Sequence, residues 1–175
     1  MNYKILPWAK KDSRLLVETP VFNLESQTLE NPHNKQCHEF YRIVSGDWVN
    51  VVALTSDLQV LLIEQFRFGV LANTWEIPGG MIDGPNESPI AAAKRELLEE
   101  TGYTCSEIVP LLSVQANPAI MNNTCHLFLA TGCVNTKMQN LDEHEDIRVR
   151  LVPLASIPLL IDSGTISHSL VTCAL

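Results

Sequence analysis

Apolar positions along the chain cluster into short runs that polar turns separate. Residues 38–44, 48–55 and 58–67 are rich in Val, Ile, Leu, Phe and Tyr, and turn-forming residues lie between them at 45–47 and 56–57. This arrangement predicts a series of antiparallel strands. A loop is expected over residues 26–36, the least apolar stretch, and further strands are expected over residues 104–114, 124–131 and 146–152.

One long helix is predicted in the middle of the chain. Ser88 can cap its first turn, and Pro89 suits the first helical position because its missing N–H would have had no partner there. Residues 90–101 are strong helix formers, and Gly102 follows them as the residue that ends the helix.

The apolar side of this helix is expected to face a sheet. Ile90, Ala93 and Leu97 are spaced so that they form one stripe on a helix surface. Two short helices are expected near the end of the chain, over residues 154–162 and 166–175. Strands with a few helices between them indicate an α/β layered sandwich.

Three glutamates lie close together in the last turns of the long helix. Glu96, Glu99 and Glu100 share one face, because positions i, i+3 and i+4 of a helix are neighbours. One interpretation is a solvated polar face that Arg95 partly neutralises. Acidic side chains near a helix C-terminus, however, oppose the helix dipole. A divalent cation would compensate them, and hard carboxylate oxygens are ligands that suit Mg²⁺.

Composition restricts the class of partner. The chain has 175 residues, of which 46% are hydrophobic, and 12 Lys and Arg against 20 Asp and Glu give a net charge of −8. So acidic a chain is a poor polynucleotide binder. No apolar run has the length of a membrane span, and the five cysteines show no metal or redox spacing. We expect one domain in the reducing cytoplasm.

The helix and the loop before it resemble the Nudix box. The similarity rests on Gly80, Glu87, the run Arg95-Glu96-Leu97, Glu99-Glu100 and Gly102. Six residues separate Gly80 from Glu87, where the family pattern has five. The resemblance implies a Nudix-type α/β/α sandwich with a mixed sheet, and an N-terminal β segment over about residues 1–45.

The resemblance also implies roles for individual residues. Metal ligands would be Gly80, Glu96, Glu99 and Glu100, and the catalytic acids would be Glu96, Glu99, Glu100 and either Glu143 or Glu145. Box residues with a structural role would be Gly80, Glu87, Arg95 and Gly102. Substrate-binding residues would be Arg67, Glu76 and Pro118.

The activity implied is hydrolysis of a pyrophosphate bond with Mg²⁺, for which Mn²⁺ can substitute. The substrate would be a nucleoside diphosphate linked to another moiety. Pro118, sixteen residues after Gly102, favours ADP-ribose or a nucleotide sugar, although residues 117–123 lack the acid usual in that subgroup. Alternatives are GDP-mannose, NADH, a dinucleoside polyphosphate, an oxidised dNTP, or a non-catalytic nucleotide-sugar sensor. Relatives of the ADP-ribose type also imply a homodimer joined through N-terminal strands.

Overall fold

The apolar runs form strands, in which alternate side chains can enter a buried layer. The computed structural model describes residues 4–175. Its α-helices are α1 (Pro89–Thr101), α2 (Ile157–Asp162), preceded by a 3₁₀ turn at Leu154–Ser156, and α3 (Ser169–Ala174). Its strands are β1 (Ala9–Glu18), β2 (Asn23–Glu30), β3 (Cys37–Val44), β4 (Trp48–Ala53), β5 (Gln59–Arg67), β6 (Ala72–Glu76), β7 (Tyr103–Thr104), β8 (Glu107–Gln115), β9 (Thr124–Thr131), β10 (Val134–Asn135) and β11 (Ile147–Pro153). In the described residues no helix has the length and apolar character needed to cross a bilayer.

The chain divides into two units. The first contains Met1–Gly46 together with Gln115–Asn123, and the second contains Asp47–Val114 together with Thr124–Leu175. The first unit thus begins with the segment that the sequence sets apart as an N-terminal extension and adds nine residues from later in the chain. The assignment of residues 1–175 to one domain stays a prediction.

The first unit is built on an antiparallel sheet in the order β1-β2-β3. The prediction of a loop over residues 26–36 is therefore wrong for its first five positions, which belong to β2. This strand is polar because its side chains form ion pairs with neighbouring strands, Glu25 with Arg42 and Glu30 with Lys11. Polar composition concealed a strand that is stabilised mainly by pairing across the sheet.

The second unit contains a parallel pair that the apolar pattern did not predict. β4 runs parallel to β9, with β8 on the other side of β9. The expectation that residues 48–55 belong to an antiparallel series is therefore wrong. β4 is an almost continuous apolar run because four of its six residues are buried, as is usual for strands covered on both faces. The sheet β11-β5-β6 is antiparallel, but the strands of the predicted series, β3, β4 and β5, lie in three different sheets and are not paired with one another.

Helices cover both sides of these strands. On one side α1 packs through Ala93 and Leu97 against Val51 and Phe128. On the other side α2 and α3 enclose a second cluster, whose members are Val52, Val60, Leu62, Ile77, Ile157, Ile166 and Val171. The predicted α/β/α sandwich with a mixed sheet is confirmed.

The long helix begins where the sequence predicts. Ser88 lies at its N-cap, and the Ser88 hydroxyl accepts the Ala91 N–H at 3.3 Å. The buried face begins only at Ala92 and includes Glu96 and Glu100, whereas Ile90 is 39% exposed. The predicted apolar stripe is correct at Ala93 and Leu97 and wrong at Ile90.

The last turn of α1 ends against a later segment of the chain. Gly102 has φ +74°, and its carbonyl accepts the N–H groups of Thr136 and Lys137 at 2.9 and 3.1 Å. The Asn140 N–H donates to the Glu99 carbonyl at 2.9 Å. These amides partner carbonyls at the helix end, where the helix itself supplies no donors.

We expect Gly102→Ala to destabilise the fold by about 3 kcal/mol. An alanine there would have to adopt a left-handed backbone conformation, which costs about 1–2 kcal/mol. Its Cβ would also be crowded against the Lys137 carbonyl group, with the carbonyl carbon 3.1 Å away. Gly164 has a similar φ of +75° with open space around it, so Gly164→Ala reports the conformational cost alone. Urea unfolding of both variants measures the difference, and equal losses would contradict a role for close approach.

Candidate active site

The acidic face of α1 is turned into the protein. Glu96 and Glu100 are only 8% and 3% exposed, and Glu99 is half-buried beside them. The interpretation as a solvated polar face is therefore wrong for two of the three glutamates. Burial of carboxylates is costly unless a hydrogen bond or an opposite charge compensates it.

A glycine segment lies directly against these glutamates. Residues 78–82 run beside β4, where Pro78 and Gly80 carbonyls accept the N–H groups of Val51 and Val49 at 2.8 and 2.9 Å. The Gly79 N–H donates to Glu100 Oε2 at 2.8 Å.

Gly80 has no room for a side chain. A Cβ there would lie 2.6 Å from Glu96 Cδ, so only glycine allows the backbone this close to the carboxylate. Its carbonyl oxygen accepts one hydrogen bond from Val49 and has a second lone pair. That oxygen can therefore serve as a ligand without losing its place beside β4.

Arg95 joins the helix acids to the loop that precedes the helix. Its Nη1 donates to Glu96 Oε1 at 2.8 Å and to Glu99 Oε2 at 3.1 Å. Its Nε donates to Glu87 Oε1 at 2.9 Å, and its Nη2 donates to the Met81 carbonyl at 2.9 Å. Arg95 is thus a counter-ion to the helix and an anchor for the loop.

The loop between Gly80 and Glu87 accommodates its additional residue. Glu87 Oε2 accepts the Asp83 N–H at 2.6 Å while Glu87 Oε1 reaches Arg95. Gly84, between them, has φ +71°. The longer spacing therefore leaves the contact between the loop and the helix intact.

Arg95 and the Gly79 amide do not fully compensate the negative charges of the buried Glu96 and Glu100. Burial raises the pKa of Glu96 to about 7, with Arg95 opposing the shift and the charges of Glu99 and Glu145 adding to it. Burial also raises the pKa of Glu100 well above its ordinary value, against the Gly79 hydrogen bond. A further cation at this place would relieve both carboxylates.

The donor set suits a hard divalent cation. Carboxylate oxygens and a backbone carbonyl are the ligands that Mg²⁺ prefers. Within residues 4–175, no three His, Cys, Asp or Glu side chains are already arranged as a metal cage. Arg95 and the Gly79 amide hold the carboxylates in their present rotamers, so ligation requires them to turn about side-chain bonds.

A second charged group lies on the neighbouring sheet. Glu76 ends β6 and is 3% exposed. Arg67, at the end of β5, donates from Nε and Nη2 to its two oxygens at 2.7 and 2.6 Å, and the Thr74 hydroxyl donates to Glu76 Oε1 at 2.6 Å. The sequence predicted roles for Arg67 and Glu76 but not for Thr74, which carries no local signal.

The acidic loop before β11 reaches the same region through Glu145. Its charge raises the pKa of both Glu96 and Glu100. Glu145 Oε2 accepts the Asp142 N–H at 2.9 Å, which orients the side chain within the loop. Glu143 is an exposed residue of the same loop.

Pro118 belongs to the first unit, in the exposed part of residues 115–123.

Gln139 is another residue that the sequence did not single out. Its Nε2 donates to the Glu100 carbonyl at 2.6 Å and to the Ile147 carbonyl at 3.1 Å, joining the end of α1 to the start of β11. A cavity of about 790 Å³ opens beyond this point, lined by Thr101, Tyr103, Asn135, Lys137, Met138, Gln139, Leu141, Val149 and Leu151. It lies at the C-terminal end of the helix, not among the glutamates.

Comparison with known proteins agrees with this geometry. The model of the NUDIX domain matches residues 45–173, which contain the glycine segment, α1 and the acidic loop. The chain belongs to the NUDIX domain family. The predicted family resemblance is confirmed.

Curated relatives of this NUDIX chain carry several names. An ADP-ribose pyrophosphatase of Bacillus subtilis (strain 168) is 33% identical over 116 residues, covering 66% of this chain and 62% of the relative. A methanol dehydrogenase activator of Bacillus methanolicus is 36% identical over 100 residues, covering 55% and 52%. A GDP-mannose pyrophosphatase of Citrobacter koseri is 31% identical, covering 61% and 59%. The chain thus spans about half to three fifths of the length of these relatives.

One solved structure has a similar fold. The crystal structure of an ADP compounds hydrolase superposes with a TM-score of 0.87 and covers 99% of this chain and 92% of its own. Sequence identity is 22%, so this match establishes the fold alone.

Metal-free protein should lose stability as the pH rises from about 4.5 to about 7. A carboxyl whose pKa is raised on folding, from 4.5 to about 7 for Glu96, binds its proton more tightly in the folded state. Its stabilising contribution is complete below pH 4.5 and is lost as the pH passes 7. The difference between the two pKa values corresponds to a loss of about 3 kcal/mol in the free energy of unfolding.

Urea unfolding in EDTA at several pH values measures this loss. Glu96→Gln should flatten the dependence over this range, while Glu107→Gln, an exposed strand variant, should keep the wild-type slope. Equal slopes in wild type and Glu96→Gln would contradict the assignment of the loss to Glu96.

Proposed function

We propose that this chain is a metal-dependent pyrophosphohydrolase that cleaves a nucleoside diphosphate linked to another moiety. The observation that carries the proposal is the pair of buried, undercompensated carboxylates, Glu96 and Glu100, packed against Gly79 and Gly80. Carboxylates whose pKa is strongly raised are more frequent at functional sites than elsewhere. The names of the pyrophosphatase relatives support the same reaction class.

We assign Glu96, Glu99, Glu100 and the Gly80 carbonyl as the residues that would hold Mg²⁺, or Mn²⁺ in its place. When bound, such an ion polarises a phosphoryl oxygen and neutralises charge on the leaving group. Glu87 and Arg95 keep the loop and helix together, so that Gly80 stays beside Glu96. An acidic protein can then bind an anionic substrate, since the ion reverses the local charge.

The reaction is attack of water on phosphorus. A bond forms between the water oxygen and phosphorus, and the bridging P–O bond breaks, so that the leaving phosphate departs with the electron pair. An acid of the loop before β11 takes the proton from the attacking water. We favour Glu145 over Glu143, because the Glu145 charge acts on both buried helix glutamates. For ADP-ribose the products are AMP and ribose 5-phosphate.

Arg67 and Glu76 form the proposed substrate-binding pair. A guanidinium fork matches phosphate geometry, and Arg67 uses two of its five N–H donors on Glu76. Its side chain is 44% exposed, so other donors can face a substrate phosphate. Pro118 stays a predicted substrate contact.

ADP-ribose or a nucleotide sugar is the proposed substrate. An ADP-ribose pyrophosphatase and a GDP-mannose pyrophosphatase are both among the relatives. The absence of an acid from residues 117–123 leaves NADH, dinucleoside polyphosphates and oxidised dNTPs as alternatives to ADP-ribose, and GDP-mannose is assayed with the other nucleotide sugars.

Hydrolysis of these compounds with Mg²⁺ tests the proposal. We expect turnover of at least one nucleotide sugar, and a loss of about 100-fold or more for Glu99→Gln and Glu100→Gln, because each removes a charge that the transition state requires. Chromatographic separation of the nucleotide products from the substrate measures the rate. Glu107→Gln is the matched control outside the site and should keep full activity.

Two results separate the enzyme from the alternatives. No turnover of any compound, or equal turnover by the glutamate variants, would contradict the hydrolase. A rise in melting temperature with ADP-ribose but no hydrolysis would indicate the non-catalytic sensor instead.

The N-terminal sheet is proposed to join two copies of the chain. β1 is an edge strand that is exposed along its whole length, including Leu15 at 51% and Val17 at 49%. Phe40 and Tyr41 on β3 are exposed as well. Edge strands with exposed apolar side chains are templates for pairing, and a second copy supplies the complementary edge.

Light scattering after size-exclusion chromatography tests the homodimer. We expect twice the chain mass of 19.5 kDa for wild type and a single chain mass for the double variant Leu15→Glu/Val17→Glu. Asp12→Asn, on the same strand, should leave the mass unchanged. A monomeric wild type would contradict the proposal.

We also propose a cytoplasmic location. The five cysteines of the chain are free thiols, and Cys125 and Cys133 are buried in the core. Unpaired buried thiols are usual in reducing compartments.

A further inference from the structure

Glu76 is a buried carboxylate whose hydrogen-bond donors Arg67 and Thr74 lie on its own sheet. Arg67 donates two hydrogen bonds to it and Thr74 donates one, each at 2.6 or 2.7 Å. A bidentate arginine pair fixes the plane of both groups. Thr74 adds a third bond that fixes the carboxylate rotamer, so this arrangement determines where the Arg67 guanidinium lies.

The pairing of β5 with β11 brings Arg67 towards the acids at the proposed metal site. Ile147 lies opposite Gln65, two residues before Arg67, and Gln139 joins the Ile147 carbonyl to the Glu100 carbonyl. The charges of Glu100 and Glu145 act on Arg67, and Arg67 in turn favours the charged form of Glu100. The guanidinium is therefore hydrogen-bonded to Glu76 while the charges of the helix and loop acids also act on it. While Arg67 is hydrogen-bonded to Glu76, it is not available to pair with Glu100 or Glu145.

Release of Arg67 from Glu76 would affect the metal ligands. An arginine that paired with Glu100 would neutralise that carboxylate and cover one of its oxygens. A cation would then have to displace a charge-assisted hydrogen bond before it could bind. Mutation of the groups that hold metal ligands in place commonly lowers metal affinity by about 10- to 100-fold.

We propose that Glu76 and Thr74 are positioning residues that keep Arg67 away from Glu100 and Glu145, so that a divalent cation and not arginine neutralises Glu100. This inference rests on the proposed function, because it requires metal binding at the helix acids. It assigns Thr74 a role at the site and gives Glu76 a role that does not depend on contact with substrate.

A second glutamate of the sheet provides a matched control. Glu64 on β5 pairs with Arg148 and Arg150, much as Glu76 pairs with Arg67. The register places Glu76 opposite Ile63. It places Glu64 opposite Trp75, the residue before Glu76 on β6. Because adjacent positions of a strand alternate between faces, Glu64 points to the opposite face of the sheet from Glu76.

Mn²⁺ binding to the full chain without substrate, measured by isothermal titration calorimetry, tests the proposal. We expect Glu76→Gln to weaken Mn²⁺ affinity about 10-fold. Arg67→Ala should bind Mn²⁺ at least as tightly as wild type, and the double variant Glu76→Gln/Arg67→Ala should recover wild-type affinity. Glu64→Gln should leave the affinity unchanged.

Thr74 gives a milder test in case Glu76→Gln does not fold. Thr74→Val removes one hydrogen bond and keeps both charges, so we expect a loss of Mn²⁺ affinity of about threefold. Thr74→Ser retains the hydroxyl and should bind as wild type does. Circular dichroism and melting temperature show which variants are folded.

The outcomes separate this inference from the proposed function. Unchanged Mn²⁺ affinity in folded Glu76→Gln, or in Thr74→Val where that is the only folded variant, would overturn the inference. A loss in Glu76→Gln that Arg67→Ala fails to restore would also overturn it, since an effect of the released Arg67 side chain requires that side chain to be present. Failure of wild type itself to bind Mn²⁺ would contradict the proposed function instead.

Discussion

Negative charge buried on one face of α1 is the constraint around which the second unit is organised. Glu96 and Glu100 lie under the glycine segment, at the helix end where the backbone dipole also disfavours them. The lack of a side chain at Gly80 and the amide of Gly79 follow from this placement. The glycine segment itself is held in position by β4, to which Pro78 and Gly80 are hydrogen-bonded.

Two arginines approach these acids, and each is held by a glutamate outside the helix. Arg95 is tied to Glu87 and gives only its Nη1 to the helix acids. Arg67 is tied to Glu76. Both guanidiniums therefore supply partial compensation without neutralising the site. The compensation is incomplete, and a divalent cation would supply the positive charge that the two buried glutamates still lack.

Local signals in the sequence were sufficient for the helix and its acids. Ser88, Pro89 and Gly102 mark the ends of α1, and the spacing of three glutamates places them together whatever surrounds the helix. Burial of these glutamates could not be predicted, because it depends on a segment paired with β4. The nature of β2 was hidden for a related reason, since its polar residues are matched by charges on other strands.

Long-range pairing likewise determined what was missed at the site. Thr74 is an ordinary strand residue until Glu76 is seen to be buried beside it, and Gln139 lies 39 residues from the carbonyl that it reaches. The parallel pairing of β4 with β9 has no signature in an apolar run, which is compatible with either direction.

Closure of the helix end by residues 136–140 has an evolutionary consequence. The amides of this segment are committed to helix carbonyls, and Gln139 ties it to the first residue of β11. The acidic residues within 142–146 therefore lie in a loop whose two ends, residues 136–140 and the start of β11, are both fixed by hydrogen bonds. Insertions or replacements confined to that short span can diversify the chemistry offered to a ligand without disturbing the architecture beneath it.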